Sequence, residues 1–308
     1  MTQQARLLFV DDEQGIVNIL RAMFRHDYEV HIATDPREAL NLVRQMHFHV
    51  VVSDQRMPDM TGVELLSKVR DVSPNSMRIL LTGYSDLAAM VGSINSGEVY
   101  RFISKPWDQN ELKATILEAA KIAIQTANAP VAAPVSDEQL AESEVTPTTE
   151  LLVIDDDPAV APAIEKLFGG AIAVHASKSV VDALDVLKTR DVGVIIADLH
   201  ADKNDVVQLL RILKHQYPLI LTIMLAQISD SELVMKLINQ VQVFRYTSKP
   251  IKKGALQLAV KAALRQHAVY KANPQLMKRH KVEQPVDAQS DSLGAWIIGS
   301  LRSLRGRF

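Results

Sequence analysis

The chain repeats itself in one gapless register, and that register constrains its fold more than any other feature. Leu8-Phe9-Val10-Asp11-Asp12 aligns with Leu152-Val153-Ile154-Asp155-Asp156. Val51-Val52-Ser53-Asp54 aligns with Ile195-Ile196-Ala197-Asp198. Val99-Tyr100-Arg101-Phe102-Ile103-Ser104-Lys105-Pro106 aligns with Val243-Phe244-Arg245-Tyr246-Thr247-Ser248-Lys249-Pro250. The offset is 144 residues in all three segments, far too long for a stacked array, so it marks a duplicated domain.

Within each copy, short apolar runs alternate with helical patterns. In the first copy strands are predicted over 6–10, 28–32, 48–53, 77–82 and 99–103, apolar on both faces as buried parallel strands are. Leu112, Ile116, Ala120 and Ile124 recur every four residues and predict the apolar stripe of one helix. Asp35-Pro36 places a capping acid before a proline at a first helical position. Five strand–helix pairs per copy predict an α/β class chain, two doubly wound five-stranded parallel domains in tandem, with sites beyond the carboxyl ends of the strands.

The predicted organisation is a first domain over 1–124, an acidic Pro/Ala linker over 125–150, a second domain over 151–268, a polar linker over 269–291 and a basic amphipathic tail helix over 292–308. Residues 125–150 hold five acids and no Lys or Arg, whereas 265–308 hold eight Lys/Arg against three acids. The net charge of −2 argues against a whole-surface nucleic-acid binder. Absence of cysteine excludes disulfides, thiolate metal sites and Cys nucleophiles. The start MTQQARLLFV lacks an apolar signal-peptide core, and no apolar run is long enough to span a bilayer, so a cytoplasmic location is expected.

Asp11, Asp12 and Glu13 follow the first strand, Asp54 ends the third, Thr82 the fourth, and Lys105-Pro106 the fifth. Any one of these alone is an ordinary cap or solvated turn. Together they converge on one sheet edge, where like charges repel and raise each other's pKa. A divalent cation resolves that repulsion, and oxygen-only donors point to Mg²⁺. A remaining carboxylate then serves as nucleophile toward a phosphoryl group, with the lysine and the hydroxyl on its equatorial oxygens. The implied chemistry is formation and hydrolysis of an aspartyl phosphate.

These motifs resemble those of two-component response regulators with tandem CheY-like receiver domains of flavodoxin-like fold. The resemblance rests on Val10-Asp11-Asp12-Glu13, Ser53-Asp54-Gln55-Arg56-Met57-Pro58 with Gly62, Leu81-Thr82-Gly83, and Phe102-Ile103-Ser104-Lys105-Pro106. It implies Asp54 as phosphoacceptor, with Asp11, Asp12, Asp54 and the Arg56 carbonyl on Mg²⁺. Thr82 and Phe102 would form the switch pair, and Lys105 would hold the phosphoryl group and a carboxylate. The Lys105–Pro106 bond would be cis. Arg56 and Tyr84 lie where family members tune hydrolysis. Partners in this family read the surface formed by the fifth strand and the helices on either side of it, and a homodimer through that surface is a family expectation.

The second copy keeps Asp155, Asp156, Asp157, Asp198 and Lys249, so a second Mg²⁺ cluster is expected to be feasible there. It departs from the pattern at Ala226 in place of Thr82, and at Asp202 and Val206 in place of Pro58 and Gly62; Tyr246 keeps the aromatic position. Alanine has no hydroxyl to bond a phosphoryl oxygen. Three readings of the second domain stay open: a phosphoacceptor with weak or altered switching, a degenerate domain kept for packing or partner binding, and a fully working switch.

The tail, SLGAWIIGSLRSLRGRF, places Leu293, Trp296, Ile297, Leu301, Leu304 and Phe308 at helical spacing, with Arg302 and Arg305 near its end. Packing on a receiver domain, docking in a partner groove and a membrane contact all remain open for it. The partner-facing candidates are Trp296, Ile297, Leu301, Leu304 and Phe308.

The functional expectation is a regulator that accepts phosphoryl from a histidine kinase on Asp54 and signals by protein–protein contact, without nucleic-acid binding and without catalysis beyond its own phosphotransfer and dephosphorylation. The alternative is a constitutive scaffold or phosphate sink. A phosphohydrolase of the haloacid-dehalogenase type needs an acid two residues after the nucleophile, where Arg56 stands.

Overall fold

A computed structural model of the chain describes residues 4–83, 91–92, 94, 99–127, 149–198, 203–225, 234–235, 237–274, 276–277 and 292–301. It divides into two compact units, each built on one sheet. The first contains β1 (Arg6–Val10), α1 (Gln14–Phe24), β2 (Glu29–Ala33), α2 (Pro36–Gln45), β3 (Val50–Asp54), α3 (Gly62–Val72), β4 (Met77–Thr82), β5 (Arg101–Ser104) and α4 (Gln109–Gln125). The second contains β6 (Glu150–Ile154), α5 (Val160–Leu167), β7 (Val174–Ser177), α6 (Val180–Thr189), β8 (Val192–Ala197), α7 (Lys203–Gln216), β9 (Leu221–Leu225), a π-helical turn (Leu237–Val241), β10 (Arg245–Thr247), α8 (Lys253–Ala272) and α9 (Ser292–Leu301).

Both sheets have five strands, all pairs parallel, in the orders β2-β1-β3-β4-β5 and β7-β6-β8-β9-β10. This is the doubly wound architecture expected from the alternating apolar runs. The repeat register survives folding: β1 and β6, and likewise α2 and α6, begin and end at aligned residues.

In the first unit, one face of the sheet buries Leu7, Phe9, Val50, Val52, Ile79, Leu81 and Ile103 under Leu20 and Phe24 of α1 and Leu112, Ile116 and Ala120 of α4. Phe9 and Phe24 stack with ring centroids 5.4 Å apart. Ile124, expected on the same stripe, is 51% exposed. A strict four-residue spacing overshoots the helical turn by about 40° per step, so three steps rotate Ile124 roughly 120° away from Leu112. The buried stripe shifts to Ala119 and Ala123 instead.

Helix starts follow their caps. The Asp35 carboxylate accepts from the backbone N–H of Arg37 at 2.6 Å and Glu38 at 3.1 Å, with Pro36 in the first turn. Thr61 and Glu64 form a capping box at α3. Gly62 opens α3 for steric reasons, since a Cβ there would overlap the Asp54 carbonyl oxygen and sit 2.7 Å from Leu80 Cδ1. α3 and α7 end at aligned residues, but α7 starts three residues earlier, so Val206 lies inside a helix where Gly62 begins one. The second unit's last sheet-covering helix, α8, runs to Ala272, past the expected boundary at 268.

Candidate functional site: a lysine bridging two aspartates

Each strand delivers one group to the carboxyl edge of the first sheet. Asp11 follows β1, its own N–H bonded to Ala33 O at 3.3 Å and its Oδ1 accepting from Glu13 N at 3.0 Å. Asp54 ends β3, and its Oδ2 accepts from Arg56 N at 2.6 Å. Lys105 follows β5, its N–H bonded to Thr82 O at 2.9 Å, with a cis bond to Pro106. Lys105 Nζ donates to Asp11 Oδ2 at 2.7 Å and forms an ion pair with Asp54 Oδ1.

Asp11 and Asp54 are buried while Lys105 keeps about a quarter of its side-chain area in solvent. Burial pushes the Asp54 carboxyl above its ordinary pKa; Lys105 pulls against that and the Asp11 charge adds to it. Burial also opposes the Lys105 charge, but the bonds to Asp11 and Asp54 outweigh it and hold the ammonium above its ordinary value. Thr82 is buried, and its Oγ1 donates to Gly83 O at 3.2 Å. Phe102 is buried, whereas Asp12 and Arg56 are exposed.

The second unit rebuilds the same edge. Asp155 N bonds Ser177 O at 3.0 Å and Asp155 Oδ1 accepts from Asp157 N at 2.9 Å, matching the contacts of Asp11. Lys249 Nζ lies 2.9 Å from Asp155 Oδ2, donates to Asp198 Oδ2, and also precedes a cis proline, Pro250. Burial again raises the Asp155 pKa against the pull of Lys249, while Lys249, despite its own burial, is held above its ordinary value by Asp198 and Asp155.

Carboxylate oxygens of Asp155, Asp156 and Asp198 lie within 4.8 Å of one another. Asp155 Oδ2 is buried and, for all its closeness to Lys249, lacks a donor in hydrogen-bond geometry. A buried carboxylate oxygen left in that state beside two more carboxylates suits a hard cation. Among the described residues only this trio gathers so closely; Asp11, Asp12 and Asp54, expected as the first-domain ligands, do not, although in both units a lysine bridges two of the acids and the third is exposed.

A small pocket at the second edge is lined by Asp155, Asp156, Lys178, Ser179, Asp198 and Val206. Lys178 and Ser179 were not among the sequence candidates. The repeat register contained the signal, since they align with Thr34 and Asp35 directly after the second strand. Tyr246 is half-buried, in contrast to Phe102. Tyr84, Asp202, Ala226, Arg302, Leu304, Arg305 and Phe308 lie outside the described residues. In α9, Ile297 and Leu301 are buried while Trp296 is 43% exposed, so these three do not form the single covered face that their spacing predicts.

The model of the response regulator receiver domain matches residues 7–117 and again 151–261, which is most of the chain. The chain belongs to the response regulator receiver family. Over 122 residues it is 34% identical to the hydrogenase transcriptional regulatory protein HoxA of Bradyrhizobium diazoefficiens, covering 40% of this chain and 25% of that protein. Over 123 residues it is 32% identical to the regulatory protein AtoC of Escherichia coli, covering 40% and 26%. The chain thus spans about a quarter of the length of these curated relatives. Among solved structures, it is similar to the signal receiver domain of an HD domain-containing protein from Pseudomonas fluorescens, at 33% identity, 42% of this chain, 96% of that chain and a TM-score of 0.41. A CheY-like receiver domain protein from Methanospirillum hungatei is 31% identical, with 40% and 98% covered and a TM-score of 0.38. The tandem receiver domains mark the chain as a two-component signalling regulator. Among its described residues no helix is long and apolar enough to cross a membrane.

Proposed function

We propose that the first domain is a phosphorylation switch with Asp54 as acceptor and a histidine kinase as donor, acting in the cytoplasm and signalling by protein–protein contact. The observation that carries this reading is the conjunction of the Lys105 bridge between Asp11 and Asp54 with a buried Thr82 hydroxyl at the end of the neighbouring strand and a buried Phe102. An Asp54 carboxylate oxygen attacks the phosphorus of a phosphohistidine. The new P–O bond forms as the P–N bond breaks, and the departing imidazole takes up a proton. Lys105 keeps Asp11 while neutralising an oxygen of the arriving group, and the Thr82 hydroxyl, one strand away, turns from Gly83 O to another. That movement opens space beside Thr82 for Phe102 to fill, which repacks the surface partners read.

Mg²⁺ would be held by Asp11, Asp12, Asp54 and the Arg56 carbonyl, and by Asp155, Asp156 and Asp198 in the second domain; when bound it offsets the mutual repulsion of the carboxylates. Hydrolysis of the phosphoaspartate resets the switch, with no turnover of an outside substrate. The second domain, with Ala226 and Val206 in place of Thr82 and Gly62, serves as a constitutive binding domain.

Incubation of the full chain with phosphoramidate and Mg²⁺, read by intact mass, tests this. The wild type is expected to gain one phosphoryl group and the Asp54→Asn variant none. A second group that disappears with Asp198→Asn would make the second domain an acceptor. Unchanged labelling of Asp54→Asn would overturn the assignment of the acceptor.

A further inference from the structure

α9 lies against α6 and α7 of the second domain. Gly294, Ile297 and Leu301 are its buried residues, a small side chain at i and aliphatic ones at i+3 and i+7. At Leu301, the last described residue of the chain, the backbone carbonyl accepts a hydrogen bond of 2.6 Å from the Tyr217 hydroxyl.

The second domain departs from the first along α7, one of the two helices that α9 lies against. Ile212, 1% exposed, stands on α7 where the first domain has exposed Lys68 on α3. Tyr217 stands where the first domain has Ser73. The shared register thus replaces an exposed lysine by a buried isoleucine on α7 and puts a hydroxyl donor directly after that helix.

The resident helix is a weak one. Two of its ten described residues are glycine. Each glycine lowers helix formation by about fivefold relative to alanine. Its covalent connection to the rest of the chain supplies much of its occupancy, because a tethered segment meets the face at an effective concentration of about a millimolar.

We propose that the α6–α7 face is a helix-docking groove occupied in cis by α9, and that its partner in trans is an amphipathic helix with a small residue at i and aliphatic residues at i+3 and i+7. The seated segment defines that chemistry. A partner with the same anchors and better helix propensity displaces α9 and changes the surroundings of Trp296.

The test uses the full chain and a labelled peptide copying residues 292–301 with Trp296→Phe and Gly299→Ala; Gly299 has open space for a Cβ. Titration by fluorescence anisotropy compares wild type with the Ile297→Asp/Leu301→Asp double variant, whose groove is vacated. Saturable binding to the double variant, at least about tenfold tighter than to wild type, is expected from removal of the cis competitor. Adding Tyr217→Phe to the double variant should weaken the peptide several-fold. Should the double variant fail to fold, the wild type still reports, because excess peptide shifts the emission of Trp296 in the chain. Absence of saturable binding to a folded double variant, equal affinity for both proteins, or unchanged Trp296 emission under excess peptide overturns the proposal.

Discussion

The two domains share a scaffold and differ at its edge. Strand order, parallel pairing, the lysine bridge, and the cis proline after it recur in both. The differences lie beside the acidic cluster. In the first domain Gly62 lets α3 begin against the Asp54 backbone, whereas in the second an earlier helix start accommodates Val206 in the pocket wall. Phe102 is buried and Tyr246 half-buried. The second domain also holds its exposed third carboxylate, Asp156, close to the other two, while Asp12 of the first, likewise exposed, stands apart. Bridging two aspartates by a lysine is therefore a property of the shared scaffold, and it cannot by itself separate a switch from a binding domain. The separation rests on the groups that surround the bridge.

The largest expected break in this comparison is Gly62→Ala. The added carbon would overlap the Asp54 carbonyl, a backbone atom that cannot swing aside. The first domain should lose about 3 kcal/mol. Val206→Ala at the aligned position removes two buried methyl groups and should cost the second domain about 1–2 kcal/mol. Each domain carries one tryptophan, Trp107 and Trp296, so denaturant unfolding followed by fluorescence in single Trp→Phe backgrounds separates the two transitions. Equal losses would mean that the close approach at Gly62 does not distinguish the domains.

Next in size is loss of the bridge. Lys105→Ala leaves two buried carboxylates unpaired and should cost the first domain about 2 kcal/mol near neutral pH; Lys249→Ala should cost the second a comparable amount. The pH dependence has a definite sign. The ammonium of Lys105 is held above its ordinary pKa, so its contribution is full below about 10.5 and is lost as pH rises through the folded value. Asp54 is raised by burial, so the folded state takes up its proton before the unfolded chain does and gains stability as pH falls through that raised value. The deficit of Lys105→Ala should shrink toward acid. A deficit independent of pH would show that packing of the lysine stem, rather than its charge, holds the edge together.

Much of this was legible before folding. The 144-residue register identified both sheets and placed Asp11, Asp54 and Lys105 at one edge, because in a parallel α/β sheet every strand end faces the same way. Side-chain allegiance was less legible. Where the exposed third acid of each cluster points depends on a rotamer that strand order does not fix, so the three-acid grouping of the second domain could not be read from residues common to both copies. Ile124 left its expected stripe because periodicity of four is an approximation to 3.6. Lys178 and Ser179 escaped notice because their site role depends on how the turn after β7 meets the pocket.

The smallest effect sharpens the contrast away from the acidic edges. His267 of α8 is buried beside Gly193, where any Cβ would lie 2.7 Å from its Nε2, and its Nδ1 has no hydrogen-bond partner. Burial lowers its pKa, Lys271 lowers it further, and Asp191 opposes them. The unfolded chain therefore binds this proton more readily, and the second domain loses stability as pH falls below about 6.5, the ordinary histidine value. His49 is lowered in the first domain too, by burial and by His47 and Arg6, but it is less enclosed and its Nδ1 already accepts from Arg6 N at 3.0 Å. Between pH 7 and 5 the Trp296-reported transition should weaken more than the Trp107-reported one, by a few tenths of a kcal/mol to about 1 kcal/mol. His267→Gln should remove that excess and leave the first domain's profile unchanged. If the excess survives the substitution, the acid sensitivity of the second domain originates in a group other than His267, and that group is not Asp155, whose raised pKa adds stability as pH falls.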